Sequence, residues 1–214
     1  MKGLFIISSL DTGGAQKLFS NVLTHLPDDW DIDILLNTDK DIRFPYKGKI
    51  ICLGIKEPKD RNGLLYQCKV FFKRLFILYK LRKNTNYNFV ISAMDSANVV
   101  NILTGSLHGS TIITVLNNMS ASKERNYNKY IVIPLMKLLY NKADRIVALS
   151  QDVKDDIVRN FGIIADIVDV IYCSIDLRYL DQVRKESLTE EEGKDFSKDR
   201  TIITAGRMDD QKGQ

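Results

Sequence analysis

The stretch Leu4-Phe5-Ile6-Ile7-Ser8-Ser9-Leu10-Asp11-Thr12-Gly13-Gly14-Ala15 joins an apolar run to a glycine turn and a helical pattern. Leu4 to Ile7 is continuously apolar, which is typical of a strand buried on both faces of a parallel sheet. From Ala15 onward the apolar residues recur at positions 15, 18, 19, 22, 23 and 26, on one face of an α-helix. This order predicts the first half of a βαβ unit.

The same alternation of strand and helix continues along the chain. Further strands are predicted at Ile32 to Leu36, Lys49 to Leu53, Phe89 to Ser92, Thr111 to Leu116, Ile146 to Leu149, Ile167 to Tyr172 and Thr201 to Ile203. Helices are predicted at Gly63 to Lys83, Ser96 to Ser106, Lys129 to Asn141 and after Ser150, which is placed to cap its helix. The pattern predicts an α/β protein with a doubly wound, parallel, Rossmann-like sheet.

Composition excludes several classes of protein. The net charge of +4 is too small to argue for nucleic-acid binding, and we expect no nucleic-acid partner. Three cysteines without a close pair predict neither a disulfide framework nor a zinc site, and they fit a reducing cytoplasm. No apolar run approaches the roughly 18–20 residues of a membrane-spanning helix. We therefore expect a cytoplasmic protein.

Three segments match a known family in their order and spacing. The first is Gly13-Gly14-Ala15-Gln16, and the second is Ala143-Asp144-Arg145-Ile146-Val147-Ala148-Leu149-Ser150. The third is Val170-Ile171-Tyr172-Cys173-Ser174-Ile175-Asp176, followed by Gly206-Arg207-Met208-Asp209-Asp210-Gln211-Lys212-Gly213. Together they resemble the family 4 retaining glycosyltransferases of GT-B architecture. At Tyr172-Cys173-Ser174 the chain departs from the Pro-Asn-Gly that is usual in this family.

The resemblance implies the N-terminal half of a GT-B fold, truncated shortly after its second domain begins. Residues 1–176 would form the acceptor-side Rossmann-like domain, residues 177–200 a charged linker, and residues 201–214 the start of the donor-binding domain. The family's pair of glutamates in the second domain has no counterpart in this sequence. We therefore expect that the 214-residue chain does not transfer sugar by itself.

The implied activity is retaining transfer of a hexosyl group from a nucleotide sugar to a glycan or lipid-linked acceptor in bacterial surface polysaccharide (capsule or lipopolysaccharide) assembly. By resemblance, Gly206, Arg207 and Lys212 bind the donor diphosphate, so neither a metal nor another cofactor is expected. Fixed cations there would stabilise the charge that develops on the leaving phosphate. Two alternatives stay open: a non-catalytic acceptor-binding module, or half of a split enzyme whose donor domain is a separate chain.

The resemblance also points to the cleft between the two domains. Gly13 and Gly14 would let the first loop approach the cleft without a Cβ in the way, although the pair is equally read as a tight strand-to-helix turn. Family members carry a His where this chain has Asn117, so Asn117 and Ser150 are candidate cleft-lining residues and no catalytic residue is assigned. His25 and His108 are read as structural or exposed.

Asp31-Ile32-Asp33 looks like the Asp-x-Asp metal signature of the other major glycosyltransferase architecture. It opens a predicted strand directly after a turn, so we expect an exposed strand start and no metal. The chain also lacks the Gly-x-Gly-x-x-Gly pattern of nicotinamide-binding folds.

The long second helix is basic and rich in aromatic residues. Lys69, Lys73, Lys80 and Lys83 fall within an arc of about 80° when each residue turns the helix by about 100°. One reading is a surface that rests on the anionic inner face of the membrane. The other is an ordinary helix that covers the sheet and presents a solvated outer face.

Overall fold

The structure of the protein is a computed structural model, and it describes residues 1–55, 64–118, 133–175 and 177–187. Within these ranges seven strands form one sheet: β1 (Lys2–Ile6), β2 (Asp31–Leu36), β3 (Lys49–Cys52), β4 (Phe89–Ala93), β5 (Ser110–Val115), β6 (Arg145–Ala148) and β7 (Val168–Val170). The described α-helices are α1 (Gly14–His25), α2 (Leu64–Asn84), α3 (Asp95–Leu103), α4 (Ile133–Leu139), α5 (Gln151–Phe161) and α6 (Leu177–Val183).

The strand order is β3-β2-β1-β4-β5-β6-β7, and every neighbouring pair is parallel. Because all strands point the same way, their carboxyl ends share one edge of the sheet. The chain winds outward in one direction from β1 to β3 and in the other from β4 to β7. The predicted doubly wound sheet is therefore confirmed, with its topological switch point between β1 and β4.

Alternate residues of the central strands bury against opposite helical layers. On β1, Leu4 and Ile6 pack on the side of α2 and α3, whereas Phe5 packs with Phe19 on the side of α1. A further cluster buries β5, β6 and β7 against α3, α4 and α5. Burial on both faces explains why the strands read as continuous apolar runs.

Several predicted boundaries need correction. The predicted strand Ile167 to Tyr172 pairs with β6 only over Val168–Val170, because β6 itself ends at Ala148 and a 3₁₀ turn, Ala165–Ile167, precedes the pairing. Helix α3 ends at Leu103 and not at Ser106. The predicted helix 129–141 is described as α4 plus a 3₁₀ turn, Tyr140–Lys142, and residues 129–132 lie outside the described residues.

The chain divides into two units, Met1–Cys173 and Ser174–Gln214. The first unit contains the whole sheet. In the second unit the structure describes residues 174–175 and 177–187, which include α6. The predicted strand Thr201 to Ile203 lies outside the described residues. Among the residues described, no helix combines the length and hydropathy that crossing a bilayer requires.

Candidate functional site

A cavity of about 310 Å³ opens at the carboxyl edge of the sheet, at the switch point. Its walls are the loop after β1, Asn37 after β2, the first turn of α3 after β4, and the inner face of α2. Open α/β sheets bind their ligands at this position, because the loops after neighbouring strands diverge there and leave a crevice. The cavity is therefore our candidate site.

The loop after β1 is organised by its own hydrogen bonds. Asp11 Oδ1 accepts hydrogen bonds from Ser9 Oγ and from the Thr12 backbone N–H, both at 2.6 Å. Gly13 caps α1 with φ 112°, a backbone conformation that a residue with a Cβ rarely adopts, whereas a Cβ on Gly14 would meet nothing within 4 Å. Asp11 and Thr12 line the cavity, whereas the predicted glycines, which follow them in the chain, are not among its lining residues.

The turn between β4 and α3 holds a strained residue at the cavity wall. Met94 has φ 76° and ψ 144°, a region that non-glycine residues rarely occupy. Its carbonyl oxygen accepts hydrogen bonds from the backbone N–H groups of Ala97 and Asn98 at 3.0 and 2.9 Å. Ser96 and Ala97 thereby face the cavity from the first turn of the helix. Burial raises the pKa of the neighbouring carboxyl of Asp95.

Arg74 reaches the cavity from α2 and is 3% exposed. Its Nη1 donates to Ser96 Oγ at 2.9 Å, and its Nη2 donates to Asn37 Oδ1 at 2.7 Å. Burial lowers the pKa of Arg74 to about 10, which still leaves the guanidinium cationic at neutral pH. The site thus combines a buried positive charge with hydroxyl and amide groups from three different elements.

Hydrogen bonds beneath the cavity hold α3 on the sheet. Asn98 Oδ1 accepts from Ser92 Oγ at 2.8 Å, and Asn98 Nδ2 donates to the carbonyl of Thr114 at 2.9 Å. Asn101 Nδ2 donates to the carbonyls of Val90 and Ile112, each at 3.0 Å. These amides connect α3 to both β4 and β5. The first turn of α3, which lines the cavity, is therefore fixed in position by these hydrogen bonds to the sheet.

The remaining predicted site residues lie elsewhere. Asn117 is exposed just after β5, and Ser150 follows β6, where its Oγ accepts from the Val153 N–H at 3.2 Å as the predicted cap of α5. Both lie at the carboxyl edge but do not line the cavity. Gly206, Arg207 and Lys212 lie outside the described residues.

The Asp31-Ile32-Asp33 segment opens β2, at the amino end of the strand. Asp31 is exposed and pairs with Lys2 at 2.6 Å, as an exposed strand start predicts. For Asp33 the prediction of exposure is wrong. Asp33 is 7% exposed and accepts a hydrogen bond from Tyr87 Oη at 2.6 Å. Among the described residues, no group of three His, Cys, Asp or Glu side chains is placed to hold a metal ion.

Sequence reasoning missed Arg74, Asn37 and Ser96. The available signal was a spacing of four residues on α2, where Val70, Arg74, Leu78 and Arg82 are all buried. A cation in an apolar stripe of this kind faces the core.

The outer face of α2 carries both lysines and aromatic rings. Phe72, Phe76 and Tyr79 are 64%, 59% and 45% exposed. Lys69, Lys80 and Lys83 are exposed beside them, whereas Lys73 is half-buried. Lys80 Nζ lies 4.5 Å from the centre of the Phe76 ring, and Lys83 Nζ lies 5.9 Å from that of Tyr79. We call these six exposed residues the outer α2 face.

The chain is similar to two curated glycosyltransferases over most of its length. It is 27% identical over 212 residues to N-acetylgalactosamine-N,N'-diacetylbacillosaminyl-diphospho-undecaprenol 4-alpha-N-acetylgalactosaminyltransferase of Campylobacter jejuni, covering 97% of this chain and 55% of that protein. It is 28% identical over 177 residues to an uncharacterized glycosyltransferase of Methanocaldococcus jannaschii, covering 78% of this chain and 42% of that protein. The chain thus spans about half the length of these relatives.

Solved structures give the same fold. The crystal structure of Anabaena HepE in complex with UDP and glucose superposes with a TM-score of 0.56 at 18% identity, covering 83% of this chain and 46% of that chain. The sheet therefore corresponds to about one half of a GT-B protein. The model of the family described as Glycosyltransferase Family 4 matches residues 12–179, most of the chain and nearly all of the unit that holds the cavity. The chain belongs to glycosyltransferase family 4.

Proposed function

We propose that this chain supplies the acceptor-binding half of a retaining hexosyltransferase of bacterial surface polysaccharide assembly. The observation that carries the proposal is the cavity at the switch point, because it lies in the part of the chain that matches the family. It has the volume of a small-ligand site and is walled by polar groups that can orient sugar hydroxyls. The acceptor is a glycan or a lipid-linked glycan.

The relatives support this choice of substrates. The name of the Campylobacter protein describes transfer of N-acetylgalactosamine to a saccharide on diphospho-undecaprenol. The HepE structure holds UDP and glucose. We accordingly propose a nucleotide sugar as the donor and a lipid-linked saccharide as the favoured acceptor of this chain.

Two groups of residues are proposed to share the chemistry. Cleavage of the bond between the anomeric carbon and the diphosphate leaves negative charge on the phosphate, and Arg207 and Lys212 are proposed to stabilise that charge without a metal. Gly206 would let the backbone approach the diphosphate. The cavity is proposed to bind the acceptor, whose hydroxyl would attack the anomeric carbon on the face that the diphosphate leaves and pass its proton to the departing diphosphate, which keeps the anomeric configuration.

Calorimetric titration of the full chain with neutral octyl glycosides tests acceptor binding. We expect at least one glycoside to bind, and Thr12→Trp to weaken it at least about tenfold because Thr12 is exposed at the cavity wall. Asp29→Trp, an exposed position at the opposite edge of the sheet, is the matched control and should change affinity less than about twofold. If no glycoside binds, or if both variants act equally, the proposal fails.

Transfer itself is tested with radiolabelled UDP- and GDP-sugars and a short-chain lipid-linked saccharide. The assay is run with the chain alone and with a separately produced donor domain of the same family, since the donor half could be a separate chain. A labelled product with the donor's anomeric configuration supports the proposal. A product with the opposite configuration contradicts the retaining assignment.

We also propose that the outer α2 face rests on the anionic cytoplasmic surface of the membrane. Each lysine near such a surface contributes roughly 1 kcal/mol, and exposed aromatic side chains insert at the level of the headgroups. The pairing of Lys80 with Phe76 places charge and ring side by side. The chain would then bind a lipid-linked acceptor at the membrane surface that holds the lipid.

Vesicle flotation tests this placement. We expect the chain to float with phosphatidylglycerol vesicles and not with phosphatidylcholine vesicles. Lys80→Glu/Lys83→Glu should reduce flotation at least about tenfold. Lys49→Glu/Lys142→Glu makes the same charge change at two exposed lysines outside α2 and serves as the control. Equal loss in both double variants would show a net-charge effect and contradict a docking face.

A further inference from the structure

Two arginines of α2 are buried, and they differ in how their donors are used. Arg82 is 0% exposed, and its guanidinium donates five hydrogen bonds of 2.7–3.2 Å. The acceptors are the carbonyls of His108, Asn101 and Gly109 and the hydroxyls of Thr104 and Thr111. Its five N–H groups match these five acceptors, so its role is structural.

Arg74 has the same charge and far fewer acceptors. Among the residues that the structure describes, Asn37 and Ser96 alone accept its hydrogen bonds, and both are neutral. None of the ion pairs between described residues involves Arg74. A buried cation outside any ion pair is costly, because the protein interior replaces little of the hydration that the charge loses. The guanidinium therefore has both charge and donors left for a ligand.

The cavity beside Arg74 is suited to an anion in one further way. The first turns of α1 and α3 both contribute to its wall, through Gln16 and through Ser96 and Ala97, so two helix N-termini with positive partial charge approach it. Asp11 is the carboxylate among the described residues that line the cavity, and it accepts hydrogen bonds from Ser9 and Thr12. Arg74 and the two helix N-termini are the groups there that attract an anion.

We propose that Arg74, with Ser96 and Asn37 holding its guanidinium, forms a subsite for a phosphoryl group of the acceptor. The preferred acceptor is then a sugar phosphate or sugar diphosphate, free or esterified to a lipid, which binds more tightly than a neutral glycan. Arginine suits this role because its planar fork of N–H groups matches phosphate oxygens. The inference rests on the proposed function, since it assigns the cavity to the acceptor.

Calorimetry of the full chain with inorganic pyrophosphate is the first test. We expect binding, and we expect Arg74→Gln to weaken it at least about tenfold. Lys49→Gln removes an exposed cation at the amino end of β3, at the opposite edge of the sheet, and should change affinity less than about twofold. If the wild-type chain does not bind pyrophosphate, or if Lys49→Gln is as damaging, the subsite is refuted.

Asn37→Asp separates a ligand role from a role in folding. It places a carboxylate where Asn37 Oδ1 now lies 2.7 Å from the guanidinium, and so supplies a counter-charge from within the chain. We expect this variant to unfold at the same or a higher temperature than the wild type and yet to bind pyrophosphate at least about tenfold more weakly. Wild-type affinity in Asn37→Asp would refute the proposal even if Arg74→Gln fails to fold.

Two further arms identify the source of the phosphate. UDP tests the donor: Arg74→Gln should leave UDP affinity within about twofold, and a loss equal to that for pyrophosphate would assign Arg74 to the donor side instead. A pair of probes, N-acetylglucosamine 1-phosphate and methyl N-acetylglucosaminide, tests the acceptor. Tighter binding of the phosphate that Asn37→Asp abolishes supports the subsite. Equal binding of both refutes the subsite but leaves the proposed acceptor function intact.

Discussion

At the residue scale, Arg82 connects the end of α3 to the amino end of β5 through its five hydrogen bonds. Arg82→Met would leave these buried acceptors unpaired, and we expect it to lower the free energy of unfolding by roughly 3–5 kcal/mol. Lys83→Met changes the adjacent exposed cation and should cost less than about 0.5 kcal/mol. Urea unfolding measures both, and a cost below about 1 kcal/mol for Arg82→Met contradicts the structural role.

Asp95 gives the stability of the chain a pH dependence of known sign. Its pKa is raised by burial, so the folded chain holds this proton more tightly than the unfolded chain does. The carboxyl therefore disfavours folding in its charged form, and this penalty disappears as the pH falls below its unfolded pKa. We expect Asp95→Asn to be more stabilising, relative to the wild type, at pH 7 than at pH 4. Urea unfolding that gives equal differences at both pH values contradicts this sign.

The residues in and beside the cavity differ in how far their positions could be predicted from the sequence. Gly13 could be predicted as a turn residue because a positive φ favours glycine. The four-residue spacing of Val70, Arg74 and Leu78 indicates that Arg74 is buried, but not that it lines a cavity. Its burial depends on Asn37 and Ser96, which come from other elements and meet it only in the folded chain.

At the element scale, Ser150 is a prediction that the structure confirms in its capping role. Its Oγ accepts from Val153 N–H at the start of α5. We expect Ser150→Ala to cost about 1 kcal/mol in the free energy of unfolding, and Ser150→Asn to cost less than half of that, because Asn also caps helices. Thermal and urea unfolding of the two variants give the comparison. Equal costs would mean that Ser150 acts by a contact other than the cap.

Elements were predicted well where burial is two-sided and poorly where it is not. The apolar runs predicted β1 and β2 to within one or two residues. Both strands lie inside the sheet and are buried on both faces, so most of their residues are apolar. The helix α2 was predicted, but the exposure of Phe72 and Phe76 was not. The apolar residues of α2 are distributed around all faces of the helix, so its sequence alone does not distinguish the side that packs on the sheet from the side that faces solvent.

At the scale of the whole first unit, β1 and β4 join the two halves of the sheet. A Cβ on Gly3 would lie 2.2 Å from Cζ of Phe89, whose ring also packs against Phe5 and Trp30. We expect Gly3→Ala to cost about 1–3 kcal/mol, because the ring must move within a packed cluster. Gly14→Ala, at an open position, should be neutral or stabilising by less than about 1 kcal/mol. Urea unfolding decides, and a neutral Gly3→Ala would mean that this junction is loosely packed.

We propose that the cavity at the switch point between β1 and β4 is the acceptor site. The most direct measurement is photo-crosslinking of the full chain with a lipid-diphosphate-linked saccharide that carries a diazirine on the sugar, followed by peptide mass spectrometry. We expect labelling of the segments 8–16 and 93–97, which contribute to the cavity wall, and loss of that labelling in Thr12→Trp. Labelling confined to other segments, or labelling that Thr12→Trp leaves unchanged, would contradict it.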